Sequence, residues 1–213
     1  MATDKLKPNH WYKIGQQSMA VYARNAGFDL AIYDEYSVSI QREIRKKTVQ
    51  EAMRSIEQAC RQKGFELSEI DKGVYVISLA NPLSIQYPGG RSQVIYVGRG
   101  NIHHRVKAHF EHKLFDFMLS VAGADFDFYF AKPTRAGTAD YFHHVEHTML
   151  NWFSSQYRDE NEKVRWPLMN KISGAKKNYA PDAKEWWKKP LKASGRTPLW
   201  EMKPTNFNAF KLD

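Results

Sequence analysis

Apolar and polar positions alternate in two rhythms along the chain, and the rhythm changes near residue 73. Up to residue 66 the pattern reads as helical. Its clearest stretch is TVQEAMRSIEQACRQKG, where Thr48 and Glu51 form a capping-box pattern, Met53, Ile56 and Cys60 recur at helical spacing, and Gly64 suits a C-terminal stop. From residue 73 the period shortens. GVYVISLA and QVIYVG predict two strands, plausible as an antiparallel hairpin, joined by NPLSIQYPGGRS, a loop marked by Pro88-Gly89-Gly90. A helix is expected from about Asn101 to Leu119, an alternating third strand in DFDFYFAKP, and a second long helix in TADYFHHVEHTMLNWFSSQY. The order is β-β-α-β-α.

Polar groups interrupt the apolar faces of both helices. At about 100° per residue, Val106, Phe110, Leu114, Phe117 and Met118 make one side of the first helix. Arg105, His109, His112 and Asp116 make a narrow stripe beside it, as a solvated face or a site would. In the second helix Phe142, Val145, Met149, Leu150, Trp152 and Phe153 define an apolar arc with Glu146 near its middle. A carboxylate there is costly unless a cation, a metal ion or several donors meet it. Glu146 is therefore expected either in an ion pair, for instance with Arg105, or as a metal ligand in a cleft. The string His143-His144-Val145-Glu146-His147 also matches the H-x-x-E-H of inverted zinc metallopeptidases, in which His143 and His147 would share a metal with a further distant acidic ligand.

Composition narrows the classes. At 213 residues the chain is long enough for a substantial core. A single cysteine, Cys60, excludes an internal disulfide and a zinc site built on several thiolates. No apolar run approaches the roughly 20 residues of a membrane span. The N-terminal MATDKLKPNHW lacks the apolar core of a signal peptide, so a cytoplasmic location is expected. The chain carries 32 basic and 23 acidic side chains, a net +9. Residues 1–66 contribute +3 (11 against 8), residues 67–156 nothing (8 against 8), and residues 157–213 +6 (13 against 7). Positive flanks around a neutral centre suit a polyanionic partner. In the tail, Lys176, Lys177, Lys184, Lys188, Lys189 and Lys192 are interleaved with Trp186 and Trp187. Such aromatics either stack on bases while the lysines meet phosphates, or anchor the tail to the domain.

Taken in order, GVY at 73–75, YVG at 96–98, Arg105 with His109, Glu146, and Asn170 within WPLMN resemble the GIY-YIG nuclease family. The resemblance covers roughly residues 70–175. It implies an α+β fold with a small three-stranded antiparallel sheet flanked by helices over residues 67–175. Residues 1–66 would then be a helical extension, and residues 176–213 a basic, aromatic-rich tail packed on the core or on DNA. It implies a metal-dependent endonuclease acting on double-stranded DNA, restriction-type and sequence-specific. A catalytically inactive nucleic-acid-binding module on the same fold is the alternative. Glu146 would be the sole acidic ligand of one magnesium ion, with manganese as a substitute. Tyr75, helped by Tyr96, would orient or activate water. A phenol of ordinary pKa near 10 needs neighbouring positive charge, or a relay through His109, to act as a base. Arg105 would contact the phosphate, and Asn170 would fix the site by a hydrogen bond. Arg91 in the 82–92 loop, Arg99 after YVG, and Lys176, Lys177, Lys188 and Lys189 are the expected nucleic-acid contacts. A homodimer would suit symmetric cleavage, and no pattern asks for an obligate protein partner. The twenty residues between Tyr75 and Tyr96 are a longer insert than the family usually has.

Overall fold

Continuous β-branched and aromatic runs build the middle of the main sheet. In this computed structural model, residues 6–121, 123–158, 166–170, 184–192 and 200–202 are described. Strand β1 (Tyr12–Gln17) precedes β2 (Gly73–Leu79), in which every residue is buried because helices and loops cover both faces. After β3 (Leu83–Tyr87) and β4 (Gly90–Ser92) come β5 (Val94–Gly100), β6 (Phe126–Ala131) and a short β7 (Trp200–Met202). The fold is α+β, with a four-stranded sheet in the order β1-β6-β2-β5, antiparallel at every junction. Phe126, Phe128 and Phe130 of β6 are fully buried.

The three strands expected from the pattern are neighbours in this sheet, but a fourth, β1, joins the β6 edge from a region expected to be helical. Only Ile14 and Gln17 of β1 are buried, too few to set a visible alternation. Its pairing is secured by Asp127 on β6, which accepts from the Gln16 amide at 2.8 Å and from Lys13 Nζ at 2.6 Å.

The expected 82–92 loop is also a correction. It is a folded hairpin within a second, three-stranded sheet, β4-β3-β7, in which β7 runs parallel to β3. Pro88 and Gly89 supply its turn, while Ile85 and Tyr87 are buried. Tyr87 Oη donates to the Val94 carbonyl at 2.8 Å.

Helix α1 (Met19–Asn25) is followed by the long α2 (Val38–Gln62). Thr48 is thus a buried residue inside α2 rather than a cap, and Glu51 pairs with Arg54 instead of closing a capping box. Gly64 ends the helix as expected, at a φ of 83°. Helix α3 (Ile102–His109) continues through a π turn (Phe110–Leu114) into α4 (Phe115–Ser120). A π turn adds a residue to the helical repeat, so the stripe splits. His109 turns inward, His112 stays exposed, and Asp116 pairs with Arg45 of α2. Helix α5 (Tyr141–Gln156) lies against β5 and β2 through Val145, Met149 and Phe153. Among the described residues no helix is long and apolar enough to cross a membrane.

Candidate active site

The register of β2 and β5 creates the tyrosine pair. Tyr75 sits opposite Gly98, and Tyr96 opposite Ile77. The two phenols are therefore diagonal neighbours on one face of the sheet. Their rings stack at 5.8 Å between centroids and 28° between planes. Gly98 makes this possible. A Cβ there would stand 2.5 Å from Tyr96 Cε1 and 2.6 Å from Tyr75 Cζ and Oη.

Helix α3 lays two polar groups on this pair. Arg105 donates from Nε to Tyr75 Oη at 3.4 Å and from Nη2 to Tyr96 Oη at 3.3 Å. Tyr75 Oη is 2.8 Å from His109 Nε2. We assign the phenolic hydrogen of Tyr75 to Nε2, which leaves the imidazole proton on Nδ1; the phenol oxygen can accept from Arg105 in either tautomer. That buried Nδ1 has no hydrogen-bond partner among the described residues. Burial, reinforced by Lys113 and Arg105, brings the His109 pKa down to about 3, so the ring is neutral. Burial also raises the Tyr75 pKa and outweighs the lowering effect of Arg105. Of the two routes expected, lowering by nearby positive charge or a relay through His109, the first fails because Tyr75 is fully buried and desolvation wins. Lys113 sits over the Tyr96 ring, 4.6 Å from its centroid, and donates to the Met169 carbonyl at 3.4 Å. Arg105 itself is exposed, so the cluster meets solvent on its side.

Glu146 is buried on α5, and its ion-pair partner is Arg99. Arg99 Nε donates to Glu146 Oε2 at 2.6 Å, and Arg99 Nη1 lies 3.2 Å from His143 Nε2. Arg105, the partner considered from the pattern, acts on Glu146 only as a nearby charge. Burial raises the Glu146 pKa, against the lowering effect of Arg99 and, more weakly, Arg105. Glu146 Oε1 accepts no hydrogen bond among the described residues. No group of three or more His, Cys, Asp or Glu side chains converges among the described residues. The donor set is a single carboxylate, with one of its oxygens bonded to Arg99. It does not offer the histidine pair of a zinc peptidase, since His143 faces Arg99 while His147 Nε2 is 2.9 Å from Asn151 Nδ2.

Asn170 clamps the edge of the sheet. Its Oδ1 accepts from the Val97 amide at 2.9 Å, and its Nδ2 donates to the Val97 carbonyl at 2.8 Å. The Met169 amide adds a bond to the Ile95 carbonyl at 2.9 Å. Strand β5 is an edge, and WPLMN covers polar groups that would otherwise be unpaired.

The expected nucleic-acid contacts are scattered. Arg91 pairs with Glu201 at 3.0 Å, and Arg99 is committed to Glu146. Lys188 pairs with Glu185 at 2.6 Å and lies over the rings of Trp152 and Trp187. Lys189 is exposed, without an ion-pair partner among the described residues. Lys176 and Lys177 lie outside the described residues. Trp186 and Trp187 act as packing anchors: Trp187 is buried, and the Trp186 carbonyl accepts from Trp11 Nε1 at 3.1 Å. A groove of about 950 Å³ between α2 and α3 collects Arg42, Arg45, Lys46, Arg54 and Lys107. Its charge is largely matched, Arg45 by Asp116, Lys46 by Glu43, Arg54 by Glu51 and Lys107 by Glu111. Pattern reading missed Arg99 as the partner of Glu146 and Lys113 as the cation over Tyr96. Strand alternation gave a signal for Arg99, since it points away from the tyrosine face. No protein-family model matches the chain, and neither does any curated protein or solved structure.

Proposed function

We propose that the protein is a metal-dependent endonuclease of the GIY-YIG type, hydrolysing phosphodiester bonds in double-stranded DNA with the sequence specificity of a restriction enzyme. One observation carries this reading. The exposed guanidinium of Arg105 bonds both phenols of a stacked tyrosine pair and acts as a nearby charge on Glu146, a buried carboxylate whose Oε1 accepts no hydrogen bond among the described residues. A purely structural cluster has no need of that combination.

Glu146 would hold one magnesium ion, or manganese in its place, which when bound supplies Lewis acidity at the phosphate and stabilises the leaving oxygen. Arg105, steadied by both phenols, is poised to meet the non-bridging phosphate oxygens as charge builds on them. Tyr75, fully buried while Arg105 bonds its hydroxyl, would orient the attacking water once Arg105 turns to the phosphate. As the water oxygen bonds phosphorus and the bond from phosphorus to the leaving sugar oxygen breaks, the water's proton passes to Tyr75 Oη while the proton already there moves to His109 Nε2. The leaving oxygen takes a proton from solvent water, and His109 returns its own to solvent. In the resting protein both partners are neutral, so no phenolate waits preformed. The negative charge of a bound phosphodiester raises the basicity of the imidazole and makes the relay feasible. Asn170 keeps β5, and with it Tyr96 and Gly98, in register. Two copies acting on the two strands would make a double-strand cut, which favours a homodimer on DNA.

The test is incubation of supercoiled plasmid with wild type and Glu146→Ala, with magnesium and with chelator. Discrete fragments from wild type in magnesium alone support a specific endonuclease, and a smear a nonspecific one. The second reading is a non-catalytic nucleic-acid-binding module, favoured by the Arg99 ion pair, which gives Glu146 a structural occupation. Plasmid that is shifted but never cut, by wild type and variant alike, would select it.

A further inference from the structure

We infer that Arg99 is a positioning residue for the metal: it neutralises Glu146 through Oε2 and yields that oxygen when a divalent cation binds. The inference rests on the endonuclease reading. Glu146 and Arg99 are both largely covered, with side chains 12% and 27% exposed. A carboxylate this desolvated is costly without a counter-charge. Arg99 supplies that charge through Nε at 2.6 Å and spreads its remaining donors toward His143, 3.2 Å from Nη1. The pair is electrically closed.

A divalent ion would therefore enter a neutral pair with the cationic Arg105 already nearby. With Arg99 in place the local charge would be strongly positive, so the free protein should hold the ion weakly. Release of Arg99 relieves this in two ways. It opens Oε2, and it sends a guanidinium with several donors toward solvent, where a DNA phosphate can take it up. Metal and DNA are then coupled through one side chain, and the coupling must be reciprocal.

The experiment follows manganese binding to the full-length protein by electron paramagnetic resonance, without DNA, for wild type, Arg99→Gln, Arg99→Lys and Glu146→Gln. Arg99→Gln should bind manganese about tenfold tighter than wild type, the equivalent of one lost competing interaction. Arg99→Lys, which keeps the charge but loses the fork, should fall between them, and it carries the test where Arg99→Gln does not fold. Glu146→Gln should lose the site. Unchanged or weaker binding in the Arg99 variants, with the site still lost in Glu146→Gln, overturns the inference and leaves the endonuclease reading intact. Manganese binding that ignores Glu146→Gln overturns both. A further arm adds a short duplex in a Tyr75→Phe background, where turnover is blocked. DNA should tighten manganese binding when Arg99 is present and much less when it is Gln, and an equal gain in both overturns the coupling.

Discussion

His109 is buried against the tyrosine pair with no anionic partner among the described residues, so its protonation should be a direct handle on stability. The ordinary histidine pKa is about 6.5, while burial, Lys113 and Arg105 bring that of His109 down to about 3. Between these values the unfolded chain binds a proton that the folded protein refuses. The stability contributed by the neutral ring is therefore complete above about pH 6.5 and is lost as pH falls toward about 3. At about 1.36 kcal/mol per pKa unit, lowering the pH from 7.5 to 4.5 should remove about 2–3 kcal/mol through this one side chain. The perturbation is His109→Gln, which keeps an acceptor for the Tyr75 hydroxyl but does not titrate. The assay is urea unfolding of both proteins across that pH range, so that titration common to both cancels in the difference. Wild type should lose about 2–3 kcal/mol more than the variant. Parallel curves, or an imidazole that titrates near its ordinary pKa by NMR, would refute the reasoning and with it the neutral resting state of the proton relay.

Gly98→Ala would drive a Cβ to within 2.5 Å of Tyr96 Cε1 and 2.6 Å of Tyr75 Oη, forcing the rings apart. Overpacking of this kind costs about 1–3 kcal/mol, and about 1 Å of misplacement at a reacting group can lower a rate ~10²-fold. Urea midpoints and plasmid cleavage rates check both, and an unchanged rate would show that the spacing of the phenols is not critical. Asn170→Ala removes two hydrogen bonds from the edge of β5. Amide exchange at Val97 should accelerate, with a stability loss of about 1–3 kcal/mol, and protection left intact would assign the clamp elsewhere.

The legible part of the fold was the part with strong periodicity. GVYVISLA, QVIYVG and DFDFYFAKP each make a strand, the pattern around 141–156 makes one helix, and that around 102–120 makes a helix interrupted by a π turn, because their buried faces recur regularly. The illegible part depended on tertiary partners. Strand β1 has two buried residues and relies on Asp127, which no local pattern announces. Thr48 satisfies a capping rule by spacing alone, but the helix had begun at Val38, ten residues earlier. The Pro-Gly-Gly signal was genuine, yet it punctuated a hairpin whose partner β7 lies more than a hundred residues away.

The candidate site divides the same way. Motif order was enough to bring Tyr75, Tyr96, Arg105 and His109 into one hydrogen-bonded cluster and to pair Asn170 with the backbone of β5. Electrostatic detail was not available from spacing. Whether burial or Arg105 would govern the Tyr75 pKa depends on how completely the ring is covered. The polar residue in the arc of α5 was correctly seen as needing a counter-charge, but the cation proved to be Arg99, directly after Gly98.

The most direct test of the central claim separates catalysis from binding at Glu146. Plasmid linearisation by wild type and Glu146→Gln in magnesium would be measured beside DNA affinity of the same proteins in calcium. The account predicts a cleavage rate lowered by about 10³-fold or more, the scale expected when a principal electrostatic contribution to the transition state is removed, with affinity nearly unchanged. Cleavage that survives in Glu146→Gln, or affinity that falls in step with the rate, would contradict a single-carboxylate metal site at the centre of the chemistry.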